Sequence, residues 1–152
     1  MKDLFGKAIL DFQTNNSPKD IITETNISDA DEMSVAYLFR NYNEMPKLEQ
    51  KALQLAKGKV LDVGCGAGSH SLHLQEKGFE VTSIDISENA IKACQLRDLK
   101  NAKAKYIGNF VMQIEKPATI ARYALNIKTL GLPEDFYENY VKNINAVTPE
   151  DI

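Results

Sequence analysis

Three glycines in alternation, Gly64, Gly66 and Gly68, stand directly behind the apolar run Val60, Leu61 and Val63. No regular helix or strand holds such a triplet in its interior. Glycine alone reaches positive φ cheaply, so the chain must leave its strand and turn here. The run before the glycines is short and β-rich, which predicts a buried parallel strand starting at Lys59. Ser69 to Lys77 predict a helix, with Leu72 and Leu74 apolar and Gly78 in the stop position just past its end. Phe79 to Ile84 predict a second strand, which ends on Asp85.

From Gly64 to Asp85 is 85 − 64 = 21 residues, the length at which a strand–helix–strand unit brings an acid beside a nucleoside's ribose hydroxyls. Nicotinamide sites use G-x-G-x-x-G, but Ser69 stands where the last of those glycines would be. Asp62 lies two residues before the first glycine. This D-x-G-x-G-x-G arrangement, within VLDVGCGAGSHSLHLQEKGFEVTSIDIS, resembles the first motif of class I S-adenosylmethionine (SAM) methyltransferases. The resemblance covers roughly residues 1–104 and implies part of a Rossmann-like α/β fold. It implies that the loop backbone from Gly64 through Cys65 and Gly66 to Gly68 cradles the methionine end of SAM. By the same resemblance Asp62 helps hold the ammonium group, Asp85 takes both ribose hydroxyls, and Ile86 lies against the adenine. A turn serving only a tight connection needs neither three alternating glycines nor an acid at each strand end.

The chain has 152 residues, enough for one domain with a core. It is short for the family's seven-stranded sheet, which needs roughly 200 residues with its helices. Eighteen basic residues face twenty-one acidic ones, net −3, and no Lys/Arg stretch is dense enough to track a phosphate backbone. Nucleic acid is therefore not the expected substrate. Two cysteines, Cys65 and Cys94, make no disulfide framework and suit a reducing cytoplasm. No stretch has the length and apolarity of a signal peptide or a membrane span.

Ahead of the glycine block, Leu4, Phe5, Ala8, Ile9 and Phe12 fall at helical spacing and predict an amphipathic helix packed on its own domain. Pro18 is expected to open a short helical turn. Ser28 reads as the N-cap of a helix over Asp29 to Asn41, with acids in its first turn. Pro46 starts another helix carrying Leu48, Ala52, Leu53 and Leu55, closed by Gly58. Residues 1–58 thus form an expected helical lid, from which Arg40 and Tyr42 could reach a ligand; as lid residues they read as a solvated charge and a packing ring. His70 and His73 are the only histidines, spaced H-x-x-H, and no further ligands nearby complete a zinc set. His70 reads as an exposed or capping side chain, with contact to SAM or a role as base as the other reading.

After Asp85, Ser87 caps a helix from Glu88 to about Arg97, with Ala90, Ile91 and Cys94 facing inward. Residues 59–104 make the cofactor-binding half. Ala104 to Ile107 could be a third strand, with Gly108-Asn109-Phe110 as the turn beside adenine. Ile107, Phe110, Val111 and Ile114 instead follow a helical stripe, which is the preferred reading. Two more helices are expected, one from Pro117 to Gly131 and one opened by Pro133, making 105–152 a helical tail. Tyr106 to Ile152 resembles a helical segment of insulinase-like zinc peptidases, without their H-x-x-E-H motif, so no proteolysis follows. Thr148-Pro149-Glu150-Asp151 is a helix-start signal. These features suggest a chimeric chain, a truncated methyltransferase front joined near Asn101 to Lys105 to a piece of another protein, the alternative being a compact native variant whose tail merely resembles the peptidase.

The resemblance leaves the catalytic residues unassigned, because the later strands that build an acceptor site have no counterpart. An orphaned half-sheet would expose a strand edge for the tail or a partner chain to cover. Three readings follow: a methyltransferase acting on a small molecule, a non-catalytic SAM-binding module, and an interaction fragment led by the tail.

Overall fold

The computed structural model describes residues 2–151, which fall into two compact units, one ending at Asp98 and one starting at Leu99. In the first unit, α1 (Leu4–Thr14) is capped by Asp3, whose carboxylate accepts from the Gly6 amide at 2.9 Å. The expected helix over Asp29 to Asn41 does not form, and Pro18 opens no helical turn. Strands β1 (Ile21–Thr23) and β2 (Asp31–Met33) pair antiparallel instead, followed by 3₁₀ turns at Val35–Phe39 and Tyr42–Glu44. Side chains decide this. The Thr25 hydroxyl accepts from the Ser28 amide at 3.0 Å, which ties Ser28 into the connecting turn. Asp20 accepts from the Val35 amide at 2.9 Å, which closes the ribbon's far end.

The helix begun by Pro46 is α2 (Lys47–Gln54). The glycine block then forms β3 (Lys59–Val63), α3 (Ser69–Glu76), β4 (Glu80–Ile84) and α4 (Glu88–Ile114). β3 and β4 run parallel, Lys59 opposite Glu80 and Val63 opposite Ile84. Val60, Asp62, Val81 and Ser83 are half-buried on one face, where the Ser83 hydroxyl donates to Ser71 of α3 and Ser71 donates to Asp62, at 2.7 and 2.6 Å. The other face is bare. Leu61 is 60 % and Val63 71 % exposed, so β3 is not the buried strand that its composition predicts. A parallel strand is buried only when neighbours flank it and helices cover both faces. Among the described residues β3 has one neighbour, and its other edge is free.

The core of this unit lies where α1 and α4 meet the glycine loop: Ile9, Ala67, Ala90 and Ala93, with Leu10, Leu38 and Phe39 against them. Small residues on α4 let its backbone come close to the loop. No strand forms at Ala104 to Ile107, and Asn109 lies well inside α4, away from any turn.

The second unit is helical, as expected: the rest of α4, α5 (Pro117–Leu130) and α6 (Tyr140–Ala146). Pro at the start of α5 and Gly131 in the left-handed cap at its end act as the sequence predicts. The helix expected to open at Pro133 does not; turns run to Glu138, and Tyr137 stacks on Tyr123 at 4.0 Å. Phe110 stacks on Tyr140 at 4.3 Å, so aromatic faces hold this unit together. Asp151 accepts from the Thr148 amide at 2.7 Å, capping one 3₁₀ turn at Pro149–Asp151.

Candidate functional site

The loop between β3 and α3 is held from below by the end of β4. The amides of Gly64 and Cys65 both donate to the Ile84 carbonyl, at 2.8 and 3.1 Å. Asp85, the next residue, accepts from the Gly66 amide at 2.9 Å through one carboxylate oxygen and from the Ser87 amide at 2.8 Å through the other. Each oxygen keeps a further lone pair for a ligand hydroxyl. Gly64, Gly66 and Gly68 have φ of +79°, +52° and +79°, the left-handed region that requires glycine.

The three glycines differ in surroundings. A Cβ at Gly64 or Gly66 would meet nothing within 4 Å, so a ligand can approach the backbone there. A Cβ at Gly68 would lie 2.3 Å from the Cys94 sulfur. Gly68 is therefore needed for packing as well as for its φ. Cys65 and Cys94 are both buried free thiols beside this contact, and burial, with Cys94 next, pushes the Cys65 pKa up to about 12. Cys65 offers a ligand its backbone and no reactive sulfur. Ile86 is fully exposed next to Asp85.

Of the sequence-predicted residues, Gly64, Cys65, Gly66 and Gly68 form the loop, Asp85 is bonded to it at Gly66, Ile86 follows Asp85 and is exposed, and Asp62 near the end of β3 is bonded to Ser71. Arg40 and Tyr42 are engaged elsewhere. Arg40 donates through Nη2 to both carboxylate oxygens of Glu49, at 2.7 and 2.6 Å, with its side chain 12 % exposed, so it is no solvated charge. Tyr42 stacks on His73 at 4.3 Å. The His70 side chain is 39 % exposed, and its Nε2 lies 2.9 Å from Glu49.

Sequence reading missed Arg97 and Glu49. Arg97 reaches from α4 to the Ala67 carbonyl (3.1 Å), the Ser69 hydroxyl (3.0 Å) and the Phe39 carbonyl (2.8 Å). Ser69 in turn donates to the Leu38 carbonyl at 2.7 Å. The end of the glycine loop and the segment ahead of α2 are thereby fastened to one guanidinium. An arginine at the close of a predicted helical stripe, among alanines, was the available signal.

Comparison with known proteins gives the same block its relatives. A family model described as a methyltransferase domain matches residues 55–126, continuously across the stretch from Asn101 to Lys105. A ubiquinone biosynthesis O-methyltransferase of Leptothrix cholodnii is 38 % identical over 58 residues, 38 % of this chain and 25 % of that protein. A 23S rRNA (uracil(747)-C(5))-methyltransferase of Pyrococcus abyssi is 38 % identical over 114 residues, 74 % of this chain and 26 % of that protein. The crystal structure of a SAM-dependent methyltransferase from Bacteroides fragilis, in complex with S-adenosyl-L-homocysteine, matches with a TM-score of 0.59 and 44 % identity over 63 % of this chain and 40 % of that one. The chain thus spans well under half the length of each of these relatives. Over residues 55–126 the chain is thus similar to methyltransferase domains, and over 63 % of its length to a SAM-dependent methyltransferase.

Proposed function

We propose that the chain binds SAM at the Gly64–Gly68 loop and serves methyl transfer to a small molecule. The observation that carries this is the open space above Gly64 and Gly66, with the Asp85 carboxylate bonded to the Gly66 amide beside it. The residues present fit the cofactor. The glycine backbone meets the methionine end, Asp62 holds the ammonium, and the remaining lone pairs of Asp85 take the ribose hydroxyls. Ile86 covers one side of the adenine. Bound SAM supplies an electrophilic methyl group on a sulfonium. The chain's own part is to orient that ligand and present an acceptor to it.

Residues 1–58 act as the lid and 59–104 as the binding half. A small acceptor is favoured over RNA by the net charge of −3 and the lack of a basic stretch, although one relative is an rRNA methyltransferase. Two free buried thiols suit a cytoplasmic setting, and among the described residues no helix is long and apolar enough to cross a membrane. A second reading, a binding module without turnover, is supported by the bare face of β3 and its free edge, which a further strand or partner chain would cover.

Calorimetric titration with SAM and with S-adenosylhomocysteine tests the reading, with Asp85→Ala as control and NAD as decoy. Binding of both adenosyl ligands, lost in the variant and absent with NAD, is the expected result. A folded chain that binds neither would retire it.

A further inference from the structure

The first turn of α1 sits against the residues that follow Asp85. Asp3 accepts from the Gly6 amide through one carboxylate oxygen, at 2.9 Å, and so caps α1. Its other oxygen accepts from the Ser87 hydroxyl at 2.6 Å and from the Asn89 side-chain amide at 3.0 Å. Ser87 is 84 positions further along the chain and only 7 % exposed. Its hydroxyl also accepts from the Ala90 amide at 2.9 Å, so a partner on each side fixes its rotamer. The Ser87 amide in turn donates to the oxygen of Asp85 that does not hold Gly66. A line of bonds therefore runs from α1 through Ser87 and Asp85 to the glycine loop. The fit is close: a Cβ at Gly6 would lie 1.8 Å from the Ser87 hydroxyl oxygen and 2.5 Å from the Asp3 carboxylate. Capping α1 needs only the bond to Gly6. It calls neither for the bonds to Ser87 and Asn89 nor for a glycine at position 6, where alanine is the better helix former.

We infer that Asp3 is a positioning residue of the cofactor site, holding Ser87 so that the Asp85 carboxylate meets the ribose of an adenosyl ligand at one fixed angle. The inference deepens the SAM-binding reading and rests on it for its purpose. Asp3 touches no ligand itself and acts through two other residues. The terminal torsion of an aspartate is broad unless both oxygens are held. Here Gly66 holds one oxygen and Ser87 the other, and ribose hydroxyls meet the lone pairs left over. Ser87 lies between β4 and α4, outside both, and its bond to Asp3 restrains its tilt before a ligand arrives. The ligand then bears less of the ordering cost on binding. The same bond makes α1 part of the site, since Asp85 is fully set only while that helix is docked.

The test is Asp3→Ser on the full chain. Serine caps a helix about as well as aspartate, but its one hydroxyl, a bond nearer the backbone, gives up Ser87 when it takes Gly6. S-adenosylhomocysteine should bind the variant about tenfold more weakly, the scale of one charged hydrogen bond. Its 2′,3′-dideoxyribose analogue offers Asp85 no hydroxyl and should bind the two proteins within about twofold of each other. Equal losses for both ligands would overturn the inference, because a merely structural defect does not read ribose hydroxyls. Gly6→Ala, which pushes α1 off Ser87 and leaves Asp3 in place, should show the same ligand dependence and serves if Asp3→Ser does not fold. Hydrogen exchange without ligand gives a reading independent of SAM. The Gly66 and Ser87 amides should exchange faster in either variant, while amides in the middle of α1 keep their protection. Unchanged exchange at both would overturn the positioning role. A wild-type chain that binds no S-adenosylhomocysteine, with Gly66 and Ser87 loosened in the variant, would retire the cofactor reading and leave Asp3 as the residue that sets Asp85. Ligand bound equally well by wild type and variant would do the reverse.

Discussion

The guanidinium of Arg97 donates to the carbonyl of Phe39 at 2.8 Å and lies over the ring of the same residue, 5.4 Å from its centre. These residues are 58 positions apart. Because Arg97 also holds Ala67 and Ser69, it makes the order of the glycine loop depend on the segment ahead of α2. Arg97→Met is expected to destabilise the chain by about 2–3 kcal/mol, as partly buried acceptors lose a charged donor. Arg97→Lys should recover little of this, since one ammonium cannot span the fork. Denaturant melts of both variants check the order, and native-state hydrogen exchange should show the Ala67–Ser69 and Leu38–Phe39 backbone loosening together.

Asp85 holds two amides besides any ligand. Asp85→Ala is expected to lose binding of adenosyl ligands and also to lower stability by about 1–3 kcal/mol, because Gly66 and Ser87 lose their acceptor. Measuring the ligand-free melt beside the titration separates the two effects. An unchanged melt would mean the loop does not need its carboxylate tether.

Gly68→Ala should be more damaging than Gly64→Ala. Both place a side chain at φ of +79°, costing about 1–2 kcal/mol, but only Gly68 also meets a sulfur at 2.3 Å. Cys94→Ala should therefore rescue part of the Gly68→Ala loss and none of the Gly64→Ala loss. A double-mutant cycle reads that coupling directly.

The hydrogen bond from His70, with the Arg40 pair after it, holds the Glu49 carboxyl below its ordinary 4.5. A depressed carboxylate contributes stability that is present above its unfolded pKa and is lost as pH falls through the folded one. The acid limb of the stability curve should therefore steepen from about pH 4.5 downward. Glu49→Gln should flatten that limb. Urea melts at a series of pH values check the sign, and equal slopes in the two proteins would count against the pairing.

Cys65 and Cys94 are 8 % and 9 % exposed, and burial raises the pKa of both thiols. Native chain should react with an aromatic disulfide reagent orders of magnitude more slowly than chain in denaturant, where ordinary thiols near pKa 8.5 are free. Fast labelling of the folded chain would show that the loop opens readily.

The glycine block was legible because its determinants are local. Positive φ at Gly64, Gly66 and Gly68, the stop at Gly78 and the pleat of five-residue strands are properties of neighbours in sequence, so their order could be read off directly. The same holds for α5 between Pro117 and Gly131. The N-terminal segment misled because Ser28 with its acids is a good helix start, while what won was the pairing of Ile21–Thr23 with a segment about ten residues away. Local propensity is weak beside a set of formed hydrogen bonds.

By itself the sequence determined a parallel strand–loop–helix–strand unit and an acid at each strand end, since spacing along one chain sets both. Only the tertiary structure decided that Arg97 fastens the loop, that Cys94 fills the space beside Gly68, that Glu49 orients His70 from 21 residues away, and that one face of β3 stays bare. Each of those depends on groups meeting across space, and no periodicity records which side chains will be close once the chain has folded.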